Sequence, residues 1–337
     1  MTEFSNAVGG VRLGERGLHL GHYVGTFAAA AAHREERAVY YVIKDTEPLH
    51  WEDAKRKQRW IEVLAREAAA IAPDVIKVRC VLTSVLMRAA WAVAGAIYDH
   101  VNYSALVTAH FAKAVIRSGQ YTGSIRNFLF PLDEAIILTF LRTDCFYSNR
   151  DNERIVLFTR DVQHVLQRRC PALRELPLTK LRHFPDLSYL PGADHRRMHT
   201  AGKNTLSVIS DDGEIERFCR SAFSLSRFFE EFPDELERFK RDGSSNYIPG
   251  DRFAPFALVR VLEGPARLSE FKELYSARRN ERDRLSQRLG EIVTPRLKAW
   301  RERANCAAGR VWTYDEVKGE SEKLARKASE AWGSRGG

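Results

Sequence analysis

The chain has 337 residues, of which 44% are hydrophobic and 29% are charged; this composition is typical of a folded globular protein and excludes a disordered chain. Its longest apolar run, around residues 90–97, is too short to cross a bilayer, so we expect no membrane partner. The formal net charge of +9 favours contact with nucleic acid or nucleotide, and a basic surface without a ligand is the alternative.

The cysteines and histidines bound the chemistry further. Five scattered cysteines predict reduced thiols and a cytoplasmic protein. No Cys-x-x-Cys pair or histidine cluster accompanies the two histidines near the amino end, so we expect no bound metal. The length is sufficient for two domains, one large and one smaller.

A Gly- and His-rich turn at residues 17–25 lies between a predicted strand (9–13) and a predicted helix (26–34). The first amides of a helix have no intrahelical partner, so such a junction can receive a phosphate. His19 and His22 are one turn apart, and Gly21 leaves room for a ring or ribose. The turn therefore predicts stabilisation of charge on a phosphoryl group. A solvated helix start is the alternative.

Strands and helices then alternate. A buried strand at 38–44 is followed by Asp45, a helix at 51–72 and a strand at 75–82. This order predicts a parallel sheet with right-handed crossovers, whose ligand lies at the carboxyl ends of the strands. We therefore expect Asp45 to lie at the same edge as the histidine turn.

The next stretch is predicted to be mostly helical, over residues 85–118 and again over 130–140, where Pro131 lies near the first turn. A short strand at 145–148 precedes a helix that begins at 149 and runs to about 169. Arg150 and Asp151 then lie at a second strand-to-helix junction facing the ligand. A further strand-like segment covers 180–184.

A loop at residues 191–204 is rich in glycine and cations. Arg196, Arg197 and Lys203 could close over phosphates, where charge develops during phosphoryl transfer; an exposed basic loop is the alternative. Beyond residue 211 the chain is predicted to be helical and basic. Five arginines recur on neighbouring turns of one predicted helix, as in an RNA-binding face or a solvated one: Arg278, Arg279, Arg282, Arg284 and Arg288.

The two loops resemble the signatures of the class I aminoacyl-tRNA synthetases, specifically the bacterial-type tryptophanyl-tRNA synthetases. The turn at 17–25 is similar to the HIGH signature, and Arg197-Met198-His199-Thr200-Ala201 stands where KMSKS would. Residues 158–161 (Phe-Thr-Arg-Asp) match a family helix that ends in Thr-Arg-Asp. The basic C-terminal helices resemble the anticodon-binding domain, so the resemblance covers nearly the whole chain.

The resemblance implies an α/β fold with a Rossmann-type catalytic domain at 1–210, interrupted by a helical insertion at about 85–140, and a helical tRNA-binding domain at 211–337. It implies ATP with Mg²⁺, an amino acid and tRNA as ligands, commonly a homodimer, and no DNA. Activation would produce an aminoacyl-adenylate, and the aminoacyl group would pass to tRNA.

The resemblance also implies roles for individual residues. Catalysis would fall to His19, His22 and Arg197. Nucleotide binding would involve Arg12, His19, Gly21, His22, Met198 and Lys203. Amino-acid binding would involve Asp45, Asp133, Ile137, Arg150 and Asp151. Contacts to tRNA would come from Arg278, Arg279 and Arg282.

Several positions depart from the family pattern. Thr200 replaces the second KMSKS lysine, for which Lys203 could compensate, and Asn149–Asn152 replaces the Gly-x-Asp-Gln turn. Ile137 aligns with the aspartate that accepts the indole N–H, so the site is expected to discriminate poorly for tryptophan. Asp133 and Glu134 could substitute if the helix were rotated.

Three functions therefore stay open at this point. The first is an ATP-dependent synthetase-like enzyme whose amino acid need not be tryptophan. The second is a transferase that takes an amino acid from a charged tRNA for a specialised biosynthetic pathway, without ATP. The third is a catalytically silent tRNA-binding paralogue.

Overall fold

The structure, a computed structural model, describes residues 6–13, 17–46, 53–102, 125–185, 187–198, 204–208, 210–243, 247–306 and 312–333. Lys203, His199 and Thr200 lie outside these residues. The side chains of residues 125–130, Asp151 and Ala172 also lie outside the description.

A five-stranded sheet forms the centre of the first half of the chain. Its strands are β1 (Asn6–Arg12), β2 (Val39–Lys44), β3 (Val78–Leu82), β4 (Thr143–Tyr147) and β5 (Lys180–Arg182). The order is β3-β2-β1-β4-β5, and every neighbouring pair is parallel. The predicted Rossmann-type α/β fold is confirmed.

Helices cover this sheet on both faces. The first begins as α1 (Leu20–His22), continues as a π-helical segment (Tyr23–Ala28) and ends as α2 (Ala29–Ala32). The others are α3 (Ala54–Ile71), α4 (Thr83–Ala89), α5 (Trp91–His100), α6 (Ile125–Phe140) and α7 (Glu153–Arg169). No helix in the described ranges is long and apolar enough to cross a membrane.

Some boundaries differ from the sequence predictions. The first helix begins at Leu20 instead of residue 26, because the His19 side chain caps it. The helix predicted over 85–118 is broken at Ala90 into α4 and α5, and residues 103–124 lie outside the description. Pro131 lies inside α6 and not in its first turn, because the helix begins at Ile125.

The second half is helical, as predicted. It contains α8 (Asp212–Ser221), α9 (Leu225–Glu231), α10 (Pro233–Asp242), α11 (Ala254–Glu263), α12 (Pro265–Arg278), α13 (Arg282–Cys306) and α14 (Tyr314–Gly333). A continuous apolar core joins these helices to the sheet, since Leu18, Phe27 and Met198 belong to the same buried cluster as Phe253 and Leu289.

The five arginines predicted on one helix lie on two. Helix α12 ends at Arg278 and α13 begins at Arg282, and the backbone N–H of Glu281 donates to Arg278 O at 2.8 Å to close the turn between them. The predicted basic face is therefore the corner between two helices.

The last helix returns to the sheet. Helix α14 packs on edge strand β3 and on α4, where Ser321 Oγ accepts from the N–H of Leu82 at 2.8 Å. Trp332 Nε1 donates to Phe140 O at 2.9 Å, and Leu324 and Ala328 are buried in the core on that side of the sheet. Helix α14 thus packs as part of the sheet domain, although it falls within the predicted 211–337 domain.

Candidate active site

The two histidines of the amino-terminal turn form a compact pair. Strand β1 and the first helix place them at the carboxyl edge of the sheet. The strand order reverses between β1 and β4, and ligands of open α/β sheets bind at such a point. The rings of His19 and His22 are 3.9 Å apart between centroids. An added Cβ at Gly21 would be 2.8 Å from the His19 ring, so the pair needs a glycine there.

The first amides of the helix are not available to a phosphate in this structure. Gly21 N donates to His19 Nδ1 at 3.0 Å, and His19 N donates to His22 Nδ1 at 3.2 Å. Leu20 N donates to Leu206 O at 3.0 Å. The prediction that these amides face a phosphate is therefore wrong, because they already donate to groups of the protein. The histidines cap the helix themselves, and any phosphate contact at the turn must come from side chains.

These bonds also fix the histidine tautomers. Since Nδ1 of His19 and of His22 each accepts a backbone N–H, the proton of each neutral ring lies on Nε2. Burial, and then the positive charge of Arg197, lower the pKa of His22 to about 4. His22 is therefore neutral at pH 7, and the donor that its ring can offer to an anion is Nε2–H.

Glu67 and residues 206–208 fix the position of the histidine turn by hydrogen bonds to its backbone. Gly17 has φ +64°, and Leu18 N donates to Glu67 Oε2 at 2.5 Å. Burial raises the pKa of the Glu67 carboxyl to about 7. On the other side Val208 N donates to Leu18 O at 3.0 Å, and His19 pairs with Ser207 in an antiparallel bridge. The turn is thus attached to the chain that follows the second loop.

The second loop is closed on itself by Asn204. Its side-chain Nδ2 donates to Asp194 Oδ1 at 2.8 Å and to Arg197 O at 3.2 Å. Its backbone carbonyl oxygen accepts from Ala193 N at 3.1 Å. These bonds fix the backbone on both sides of the segment that resembles KMSKS.

His195 ties this loop to the helical half. It is fully buried, has φ +65° and stacks on Phe253 with ring centroids 5.1 Å apart. Its Nδ1 accepts from Ala254 N at 3.3 Å, so its Nε2 donates to Ser224 O at 3.1 Å. Burial lowers the pKa of His195 to about 4.

Arg197 and Met198 lie against the histidine turn. Met198 is buried, and its Cβ is 3.4 Å from the position of an added Gly21 Cβ. Arg197 is partly buried, and its positive charge lowers the pKa of His22. Burial, and then repulsion from Arg12, lower the pKa of Arg197. Two cations and two imidazoles therefore meet at one edge of the sheet, as an anion site requires.

A cavity of about 150 Å³ opens beside this cluster. Its lining is partly apolar and partly charged. The apolar side chains are those of Val8, Val42, Ile137, Leu138 and Phe146; the polar ones include Arg12, Lys44, Thr46, Asp133 and Glu134. The structure therefore brings three predicted site residues, Arg12, Asp133 and Ile137, into one cavity.

Other predicted amino-acid-binding residues do not line the cavity. Asp45 is buried; it accepts from Ser84 N at 2.8 Å and pairs with Lys57 Nζ at 3.3 Å, so its carboxylate joins α3 and α4. Arg150 is exposed and lies 3.7 Å from Glu153. Asp151 lies in a short 3₁₀ helix (Arg150–Asn152), with its side chain outside the description.

Lys44 was not predicted from the sequence, and Glu134 was predicted only as a possible substitute for the aspartate that accepts the indole N–H. Lys44 and Glu134 form an ion pair of 2.5 Å inside the cavity, and the Asn149 side chain packs against Gly25 of the first helix. A lysine closing an otherwise apolar strand was a signal for Lys44. Nothing local marked Glu134 as its partner. Among the described residues, no group of three His, Cys, Asp or Glu side chains could hold a metal.

The predicted tRNA-binding arginines surround the α12–α13 corner. Arg278 pairs with Glu281 at 2.9 Å, Arg279 donates to Tyr247 O at 3.4 Å, and Arg282 donates to Arg220 O at 2.9 Å. Two of the three therefore also tie the corner to neighbouring backbone.

Comparison with solved structures gives the class of this fold. Tryptophanyl-tRNA synthetase from Campylobacter jejuni, complexed with ADP and tryptophan, is 14% identical over 98% of this chain and 99% of its own, with a TM-score of 0.68. Tryptophanyl-tRNA synthetase from Mycoplasma pneumoniae is 13% identical over 98% of this chain and 97% of its own, with a TM-score of 0.66. Tyrosyl-tRNA synthetase from Aeropyrum pernix is 13% identical over 98% of this chain and 90% of its own, with a TM-score of 0.62.

These identities establish the fold alone. The chain has the class I fold of the tryptophanyl- and tyrosyl-tRNA synthetases over nearly its whole length. Its sequence matches no protein-family model and no curated protein.

Proposed function

We propose that this protein is a synthetase-like enzyme that activates an amino acid with ATP, as an aminoacyl-adenylate, and transfers the aminoacyl group to tRNA. The observation that supports this function best is the union of two distant loops. Backbone pairing between residues 18–20 and 206–208 fixes the histidine turn beside Arg197, next to the cavity at the strand ends.

In this mechanism the amino-acid carboxylate attacks the α-phosphorus of ATP, and pyrophosphate leaves. The Nε2–H groups of His19 and His22 donate to phosphate oxygens, and Arg197 offsets their developing charge. The cavity orients the amino acid for attack. Mg²⁺, which the resemblance implies, would be held by the phosphates of ATP and would offset charge on their oxygens.

A transferase that takes its amino acid from a charged tRNA is the second candidate. Its support is the departure from the family pattern at the second loop, where Thr200 replaces a lysine, together with the neutral state of His22. The fold, the site at the edge of the sheet and the basic helices would serve such an enzyme equally well.

One experiment separates the two candidates. ATP–pyrophosphate exchange is measured with each of a panel of amino acids, with and without bulk tRNA. Exchange that depends on one amino acid supports the synthetase-like function. No exchange, in folded protein that releases an amino acid from charged tRNA to an acceptor, overturns it in favour of the transferase. Retention of tRNA with neither reaction indicates the silent paralogue.

We also propose that the protein acts as a cytoplasmic homodimer. Helix α5, which packs on α7, exposes Trp91 at 75% and Tyr98 at 57%, and α7 exposes Leu157. Large apolar side chains exposed on two packed helices are typical of a protein interface. The free cysteines are consistent with a reducing compartment.

A further inference from the structure

An ion pair lines the cavity at the strand ends. Lys44 and Glu134 come from β2 and α6 and form an ion pair of 2.5 Å, with side chains only 14% and 13% exposed. Both line the cavity at the strand ends. A ligand there would remove the remaining water from two formal charges, so it must replace the hydrogen bonds that the water supplied.

The ion pair that lines the cavity has no net charge, because Lys44 is positive and Glu134 is negative. A charged side chain would disturb this balance in a site of low dielectric. An apolar side chain would desolvate the ion pair without giving it a new partner. A neutral group with both a donor and an acceptor avoids both costs.

The shape of the cavity points in the same direction. Val42, Ile137 and Phe146 also line the cavity, so apolar side chains lie on the same elements as the ion pair and suit a short aliphatic stem. The volume of about 150 Å³ is close to that of an apolar cavity that accepts benzene, whereas indole is a larger, fused-ring group.

We propose that the cavity selects an amino acid with a carboxamide side chain, of the glutamine or asparagine class. The carboxamide oxygen accepts from Lys44 Nζ, its N–H donates to a Glu134 carboxylate oxygen, and its methylene stem lies against Ile137. This inference rests on the proposed function, because it takes the cavity as the amino-acid site of an adenylate-forming enzyme.

The test uses stable analogues of the adenylate, the aminoacyl-sulfamoyl-adenosines of glutamine, asparagine, glutamate, methionine, serine and tryptophan, titrated into the full chain by calorimetry. Methionine is nearly the same shape as glutamine but lacks its donor and acceptor. We expect a carboxamide analogue to bind on the order of 10²-fold or more tighter than the methionine and tryptophan analogues. Tighter or equal binding of any of the other analogues overturns the inference.

A paired substitution tests the ion pair itself. Lys44→Met with Glu134→Leu removes both charges, and it should reverse the preference in favour of the methionine analogue. Arg79→Met with Glu320→Leu is the matched control, because it removes an ion pair of 3.0 Å outside the cavity and should leave the preference unchanged. The single change Glu134→Gln keeps the volume and should lower carboxamide selectivity while the protein still melts cooperatively.

The outcomes distinguish this inference from the proposed function. If the analogues bind but tryptophan or methionine is preferred, the carboxamide inference fails and the adenylate-forming function stands. If no analogue binds folded protein more tightly than adenosine alone, the proposed function fails, and the inference fails with it.

Discussion

A neutral imidazole stabilises a phosphate by donating a hydrogen bond. His22 is in this state, since its pKa is about 4 and its Nδ1 is occupied by the backbone of His19. In the proposed mechanism the turn therefore contributes directional donors, and most of the positive charge in the described site comes from Arg197 and Arg12. This division means that His22 and Arg197 should fail in different ways when they are replaced.

We predict that His22→Ala lowers the rate of adenylate formation by roughly 10²-fold or more, as the loss of one transition-state donor does elsewhere. Amino-acid-dependent ATP–pyrophosphate exchange measures the rate, and thermal unfolding checks the fold. His164→Ala, at an exposed histidine of α7, is the matched control. Turnover equal to that of the unsubstituted enzyme would remove His22 from the mechanism.

Single residues also show where sequence reasoning stops. His19, His22 and Arg197 were predicted for the site because their types and spacing carry chemistry, and the structure places them close together. The partnership of Lys44 and Glu134 could not be found, because it depends on where two elements distant in sequence meet. Asp45 was predicted for the ligand, and its burial against Ser84 and Lys57 follows from a crossover connection that its own neighbours do not encode.

At the level of elements, the second loop is positioned by His195, which was not among the predicted site residues. His195 bonds the backbone before α9 and at the start of α11, so the loop and the helical half are held to one geometry. An uncharged ring is required, because Nδ1 must accept from Ala254 N and no acceptor for a second ring proton is present among its described bonds.

This requirement makes stability depend on pH. The pKa of His195 is about 4 in the folded protein and about 6.5 in an unfolded chain. Its contribution is therefore complete above pH 6.5 and is lost as the pH falls, by about 1.4 kcal/mol per pH unit until about pH 4. We predict that His195→Phe, which keeps the stacking on Phe253, reduces this slope of the unfolding free energy.

Urea unfolding between pH 7 and pH 4.5 measures the slope. At pH 7 the same variant should lose about 1–3 kcal/mol, because Ala254 N is left without its acceptor. His164→Ala should keep the slope of the unsubstituted protein. Identical slopes for His195→Phe and the unsubstituted protein would contradict the prediction.

The α12–α13 corner shows a limit of pattern reasoning at this scale. Residues 278–282 contain no glycine or proline, so the helical pattern continues through them in the sequence. The break follows from tertiary bonds, such as Arg279 to Tyr247 O and Arg282 to Arg220 O. The strands, in contrast, were found to within a few residues, because runs of β-branched and aromatic residues mark them locally.

We predict that Arg278→Glu combined with Arg282→Glu weakens tRNA binding and lowers its salt dependence by about one unit of slope for each phosphate that the corner no longer binds. Filter binding across a salt series measures both quantities. Arg241→Glu, at an exposed arginine at the end of α10, is the control. An unchanged affinity and slope in the double variant would show that the corner is only solvated.

At the level of the whole molecule, the exposed aromatic face of α5 determines the proposed assembly. We predict that Trp91→Glu shifts the protein from dimer to monomer, because it places a charge in an apolar interface. Sedimentation or light scattering at several concentrations measures the mass. Val75→Glu, at an equally exposed valine in the turn before β3, should leave the dimer intact. A dimer unaffected by Trp91→Glu would place the interface elsewhere.

The return of α14 to the sheet was the least predictable feature of the molecule. Its amphipathic pattern identifies a helix, but not the surface that the helix covers. The side chains of Ser321 and Trp332 hydrogen-bond to backbone groups of Leu82 in β3 and Phe140 in α6, contacts that the helical pattern alone does not predict.

That return has a consequence for the nascent polypeptide. Strand β3 is synthesised more than two hundred residues before the helix that shields its outer edge. An unshielded strand edge is a template for pairing with other chains. Chaperone protection during translation should therefore matter more for this protein than for one whose sheet is completed early.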